Sequence, residues 1–191
     1  MHLSFSNDGS LLLSIGMDKT FSMQVFQWQQ GRSLAFKNTG YFPIFGARFF
    51  PYDRTTIVTC GYEHMAIWKV KGPHITCKAY QRFLSPALTS PEATAKYSVL
   101  MSMDFMSFKL GNTIQSDILF GSSLGEISTF CSGKHFILND QAHEGPINVI
   151  KITDQLTPGE TINILTGGED GFVKVWDSSC RMIHKIDMRD Q

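Results

Sequence analysis

The fourteen residues ILTGGEDGFVKVWD, Ile164 to Asp177, hold a short apolar run, a Gly-rich turn and a second apolar run ending in Trp-Asp. That order of parts occurs three more times upstream. LLLSIGMDKTFSMQVFQW (Leu11 to Trp28), TIVTCGYEHMAIWKV (Thr56 to Val70) and DILFGSSLGEISTFCSG (Asp117 to Gly133) repeat it. Aligning the turns puts Phe26, Trp68, Phe130 and Trp176 in equivalent positions, spaced by 42, 62 and 46 residues. The long middle interval leaves room for an insertion. Such a repeat constrains the fold strongly, because one supersecondary unit must be used repeatedly and must pack on its own copies.

Each copy has neighbours of its own. Upstream lies another short apolar strand: HLSFS before NDGS, FGARFF before PYDR, VLMSMDF before MSFKLG, INVIKI before TDQLTPG. NDGS, PYDR and TPG contain strong turn formers. Downstream comes a fourth strand: RSLAF, HITCKAY, KHFILND or MIHKIDM. No segment carries a sustained 3.6-residue apolar period. Fifteen Phe and sixteen Gly in 191 residues also lean toward β structure. Repeated four-stranded meanders of about 40–45 residues are the sequence sign of a β-propeller.

The motifs resemble the WD-repeat family, most closely in the last unit. AHEGPI stands where that family has its Gly-His turn, and VWD where it ends its third strand. The resemblance implies a structural tetrad of His143, Thr166, Asp170 and Trp176. The first unit keeps Ser14 and Asp18 but has Phe26 for the Trp. The second keeps Thr59 and Trp68, with Glu63 for the Asp. The third has Phe120, Leu124 and Phe130, so apolar packing must replace the network. SIGMDKTFSMQVFQWQQGRSLA, with Phe26 and Trp28 separated by one residue, and IVTCGYEHMAIWKVKG are similar to blades of the echinoderm microtubule-associated protein-like family. Large ciliary and flagellar WD-repeat proteins of the axoneme carry the same style of blade.

The expected fold is therefore all-β: a WD-repeat β-propeller with about four consecutive four-stranded blades, at about 1–37, 44–82, 98–141 and 143–188. Pro- and Ser-rich residues, about 85–97, read as a flexible insertion. Closed propellers of this family have seven or more blades, so the chain is expected to be part of a larger, incomplete propeller.

Several site-like signals read as architecture. GSSLG (Gly121 to Gly125) matches a nucleophile elbow in form, but a strand-like EISTF comes after it where that motif needs a helix. GGEDG lacks the alternating carboxylates and terminal Glu of a calcium loop. The six histidines show no H-x-x-x-H or H-x-H pair, and the four cysteines (Cys60, Cys77, Cys131, Cys180) no C-x-x-C pair. The cysteines are expected to be buried, reduced thiols. His64 is expected to serve structure. Among the innermost strands only His2, Arg48 and Asp104 are polar enough for chemistry, and they form no recognisable catalytic set. No catalytic residue, metal or cofactor is expected.

Formal net charge is zero, which favours neither nucleic acid nor an anionic membrane as partner. No apolar run approaches the roughly 18 residues that cross a bilayer, and the N-terminus lacks the regions of a secretory signal. The charge is uneven, however. Residues 1–82 carry nine Lys/Arg against four Asp/Glu, and the remainder eight against thirteen. Arg32, Lys37, Arg54, Lys69 and Lys71 lie in or beside expected turns, and are candidate contacts for an acidic partner. The expected function is a non-catalytic protein-interaction scaffold. The closer resemblance implies a cytoplasmic, cytoskeletal or ciliary setting, with tubulin, microtubules or axonemal proteins as partners. The alternatives are an adaptor of another complex or, less favoured, a propeller enzyme.

Overall fold

A computed structural model describes residues 2–40, 43–62, 64–82, 98–110, 113–153 and 162–189. Glu63, the expected insertion at about 85–97 and the Thr-Pro-Gly turn before Ile162 lie outside the described residues. The chain divides into two compact units, Met1–Leu100 and Met101–Gln191. Among the described residues the only helical element is one 3-10 turn, Trp28–Gln30.

The strands form four antiparallel meanders of four. The first holds β1 (His2–Phe5), β2 (Leu12–Ile15), β3 (Met23–Gln27) and β4 (Arg32–Lys37). The second holds β5 (Ile44–Phe50), β6 (Asp53–Gly61), β7 (His64–Lys71) and β8 (His74–Arg82). The third holds β9 (Leu100–Leu110), β10 (Thr113–Ser122), β11 (Ile127–Cys131) and β12 (Lys134–Asn139). The fourth holds β13 (Ile147–Ile152), β14 (Asn163–Gly168), β15 (Phe172–Asp177) and β16 (Met182–Asp187). Sequential order within each sheet stems from the short connections between most successive strands, which favour hairpins.

One hairpin departs from expectation. MSFKLG has the composition of a turn, yet β9 runs on to Leu110 and pairs as an arm with β10. Its serine bonds across the two arms, Ser107 Oγ to Ser116 Oγ at 2.7 Å. A polar cross-strand pair of this kind contributes to pairing as an apolar pair does.

Register gives each sheet two distinct faces. Leu12 pairs with Phe26, Ile57 with Trp68, Ile118 with Phe130 and Ile164 with Trp176. These rows, with Ser14, Thr59, Phe120 and Thr166 two residues on, lie on what we call the rear face. The rows between them, Leu13 with Val25 and Leu165 with Val175 for example, lie on the forward face, because side chains alternate along a strand. In the first unit, forward-face Leu13, Ile15, Met23, Val25 and Ala35 form one buried cluster with rear-face Phe49, Ile57, Ala66 and Trp68 of the second sheet. In the second unit, forward-face Leu119 and Ile127 of the third sheet form one with rear-face Ile150, Ile152, Ile164 and Trp176 of the fourth. Forward face on rear face is thus the packing rule in both units.

The two faces of the first sheet predict opposite mutational costs. Leu13 is fully buried, whereas rear-face Leu3 is 57% exposed. Leu13→Ala is expected to cost about 2–5 kcal/mol and Leu3→Ala close to nothing. Urea denaturation of the two variants checks this; equal midpoints would contradict the assigned faces.

Candidate interaction surface and the buried network beneath it

The fourth sheet is tied to its entry loop by a chain of hydrogen bonds running in one direction. Trp176 Nε1–H donates to Thr166 Oγ1 at 2.8 Å. Thr166 Oγ1 lies 2.7 Å from His143 Nε2, and His143 Nδ1 lies 2.8 Å from Asp170 Oδ1. The Asp170 carboxylate only accepts, so Nδ1 carries the proton, and Nε2 of the neutral ring accepts from the Thr166 hydroxyl. Asp170 closes the chain. Its oxygens also accept from the backbone N–H of Glu144 and of Phe172, each at 3.2 Å.

The local backbone makes this possible. Thr166 and Trp176 face the same way on adjacent strands, and Asp170 sits in the turn that joins those strands. Gly168 admits the histidine: a Cβ there would stand 2.2 Å from His143 Nδ1. Gly125, at φ +81°, admits the loop before the sheet. A Cβ there would stand 2.0 Å from the His143 carbonyl oxygen, and the Gly125 carbonyl accepts from the His143 N–H at 3.0 Å.

Burial pushes the His143 imidazole below its ordinary value, against the pull of the Asp170 carboxylate, so the ring is neutral. Burial alone would raise Asp170. Its hydrogen bonds to His143 and to the two backbone N–H groups win, and hold it down to about 2. A fifth group, missed in the sequence, supplies the compensating charge. Lys174 Nζ lies 3.5 Å from Asp170 Oδ2 and donates to the Ala142 carbonyl at 2.6 Å, and the residue is buried. The available signal was its place two residues before Trp176, on the same face.

The other sheets show how much of the network each can keep. In the second, Trp68 Nε1–H donates to Thr59 Oγ1 at 2.9 Å, both buried. His64 is buried too, with Nδ1 3.0 Å from the Tyr62 carbonyl and its ring stacked on Tyr80; burial pushes its pKa down. In the first, Asp18 turns away from the expected network. Its carboxylate accepts from Thr20 N and Oγ1 at 2.9 and 2.6 Å and from Ser22 N and Oγ, so it braces its own turn. In the third, Phe120 is fully buried, and Ser122 Oγ organises the turn by accepting from the N–H of Leu124 and of Glu126. Gly121 and Ser122 end β10 and β11 begins at Ile127, so this stretch closes a hairpin.

The five candidate basic contacts do not form one patch. Arg32, Arg54 and Lys71 are exposed and lie at one end of the first unit, where the β1–β2, β3–β4, β5–β6 and β7–β8 turns gather. Arg54 is 3.0 Å from Asp8 but stays accessible. Beside it opens a cleft of about 280 Å³ lined by Ser10, Leu11, Gln27, Gln30, Leu34 and Val70, among others. Lys37, at the end of β4, is exposed at the opposite end of the sheet. Lys69 differs from the others: it sits within β7, half-buried, with its ammonium 2.6 Å from Asp53 and 2.9 Å from Thr56 Oγ1. The cysteine expectation also needs correcting, since Cys60 and Cys180 are buried but Cys77 is exposed on an outer strand. Among the described residues no cluster of three or more His, Cys, Asp or Glu could hold a metal ion.

Comparison with known proteins agrees with this geometry. Residues 135–177 match the model of the WD domain, G-beta repeat, from β12 of the third sheet through β15 of the fourth. The chain is 25% identical to echinoderm microtubule-associated protein-like 1 of Rattus norvegicus over 98% of its own length and 21% of that protein's. It is 23% identical to cilia- and flagella-associated protein 44 of Mus musculus over 92% of its length and 9% of that protein's. The chain thus spans about a fifth or less of these relatives. Among solved structures, the Cps50 (Swd1) β-propeller domain of Myceliophteria thermophila superposes with a TM-score of 0.69 at 16% identity, covering 96% of this chain and 57% of that one. Chaetomium thermophilum Sqt1, bound to the N-terminus of a ribosomal protein, gives 0.66 at 15%, covering 97% and 48%. The fold is that of WD-repeat propeller blades.

The network predicts graded losses. Thr166→Val strands both the Trp176 N–H and His143 Nε2, at about 1–3 kcal/mol for each stranded group; Thr59→Val strands only one indole N–H and is expected to cost less. Asp170→Ala leaves Lys174 buried without its carboxylate and is expected to cost about 3–5 kcal/mol. Hydrogen exchange across residues 163–187 checks the order, and unchanged protection in Asp170→Ala would mean that the network contributes nothing to the fourth sheet.

Acid should act in the same direction twice. His143 and Asp170 both have folded values below their ordinary ones, so each contributes stability that is present above its unfolded value and lost as pH falls. The fourth sheet is expected to weaken first below about pH 6.5, then between 3.8 and about 2. Thermal melts over that range, compared with Thr166→Val, read the effect.

Proposed function

We propose that the chain is part of a non-catalytic protein-interaction scaffold working at microtubules, in the cytoplasmic cytoskeleton or along a ciliary or flagellar axoneme. Tubulin or axonemal proteins are its partners. The observation that carries this reading is a similarity, running along 98% of the chain, to a microtubule-associated protein-like relative. The physical features fit. Hydrogen-bonded sheets packed face to face form a rigid frame, and function on such a frame belongs to the turns and rims it presents.

The contact we assign is the end of the first unit that carries Arg32, Arg54 and Lys71, beside the cleft lined by Gln27 and Gln30. Each exposed pair contributes only about 0–1 kcal/mol, so the three act together. Screening over roughly 8–10 Å near physiological ionic strength makes the contact salt-sensitive. Microtubule co-sedimentation of the protein tests this. Arg32→Glu, Arg54→Glu and Lys71→Glu combined are expected to reduce binding severalfold and flatten its salt dependence, while Lys37→Glu, at the opposite end, leaves it intact. Equal binding by the triple variant would exclude this rim as the contact.

A further inference from the structure

The forward face of the first sheet and the rear face of the second are packed together along their strands, and the joint between them opens at the end where their turns gather. The cleft of about 280 Å³ lies in that opening, between two sheets of one compact unit. Its deepest lining is apolar: Leu11 and Val70 are buried and Leu34 is half-buried. Its mouth is polar, with Gln29, Gln30 and Arg54 exposed and Gln27 half-buried below them.

The polar mouth is held in place by the 3-10 turn Trp28–Gln30, which Gly31 closes at φ +60°. Trp28 pins this turn to its neighbour: the indole N–H donates to the Gly9 carbonyl at 2.8 Å, and the ring packs edge-on against Phe5 with centroids 5.6 Å apart. Gln29 and Gln30 are thereby carried at the rim on a fixed support. Among the described residues no hydrogen bond occupies the side chains of Gln27, Gln29 or Gln30. A carboxamide offers an acceptor and two donors, which is the complement of a peptide group. The cations stand around the same opening. Arg54 lines it, Arg32 pairs in register with Gln27, and Lys71 lies between the lining residues Val70 and Gly72. Asp8 and Asp53, the carboxylates at these four turns, are already bonded to Arg54 and Lys69. Arg32 and Lys71 therefore set the sign of the charge presented there.

We infer that this cleft binds an extended acidic peptide segment of the partner. One aliphatic side chain enters between the two sheets and covers Leu11, Leu34 and Val70. The glutamines bond the peptide groups on either side of it, and flanking carboxylates meet Arg32, Arg54 and Lys71. The volume falls just below the roughly 300–1,000 Å³ of small-molecule sites, which suits a single side chain rather than a cofactor. The inference deepens the contact assigned above and rests on that reading of the basic rim: it states which part of a partner the rim holds, and adds Gln29 and Gln30, which a charge argument alone does not find.

Fluorescence anisotropy of labelled peptides on the 191-residue chain tests the inference, with the sequences EEELEEE, EEESEEE and KKKLKKK as probes. The leucine peptide is expected to bind, and more weakly as salt is raised. The serine peptide should bind about tenfold more weakly, because it loses the buried aliphatic side chain. The lysine peptide should not bind. Gln29→Ala with Gln30→Ala should weaken the leucine peptide severalfold and leave its salt dependence unchanged, since no charge is altered. Both side chains are exposed, so the thermal melt is expected to survive, and circular dichroism checks it. Equal binding of the leucine and serine peptides overturns the inference, because charge alone would then explain the contact. So does unchanged affinity in the folded glutamine variant, or no binding of the leucine peptide at about 1 mM. A leucine preference in a chain that does not co-sediment with microtubules supports the cleft and removes only the partner named above. Charge-dependent microtubule binding without a leucine preference overturns the cleft and leaves the rim.

Discussion

A four-stranded sheet with two apolar faces cannot be stable alone in water, and the rest of this structure depends on that constraint. Each meander needs a neighbour on at least one side. The answer used in both units is to seat a forward face of smaller aliphatic side chains (Leu13, Met23 and Val25, or Leu119 and Ile127) on a rear face carrying the large aromatic of the next sheet, Trp68 or Trp176. Burying these side chains is the dominant favourable contribution. It also brings polar atoms inside, the indole N–H first among them, and these must be given partners.

The hydrogen-bonded network is how the fourth sheet meets that demand. The indole proton goes to Thr166, the threonine proton to a neutral His143, and the imidazole proton to Asp170, whose charge is balanced by buried Lys174. The second sheet stops at the first step, with Trp68 and Thr59. The third removes the need by replacing the polar groups with Phe120 and Phe130. The first has no indole at that position, so Asp18 is left to brace its own turn. Repeats of one architecture can thus differ in how much polar machinery they bury. A rigid frame of this kind leaves interaction to its rims, which is why the scaffold reading turns on exposed charges.

The four meanders are legible in the sequence because strand and turn signals are local. Alternation of side chains and Gly- or Asp-bearing turns act over a few residues. His143, Thr166, Asp170 and Trp176 are legible through fixed spacing along one hairpin and the loop before it. The arms of β9 and β10 around Met106–Leu110 are not, since serine and lysine are compatible with either a turn or an exposed ladder. Lys69 escapes a sequence reading for a different reason. Its partner Asp53 is sixteen residues away, and only the pairing of β6 with β7 brings them to 2.6 Å.

By itself, then, the sequence determined the number of strands, their order, and which side chains share a face, because these depend on periodicity and neighbouring residues. The tertiary structure decided which of two equally apolar faces is buried, which charges are free and which are captured, and that His143 is neutral. Those outcomes depend on what packs against a residue from elsewhere in the chain. Leu12 and Ile164 sit in equivalent rows of equivalent strands, yet only Ile164 is fully buried, because only its face has a sheet seated on it.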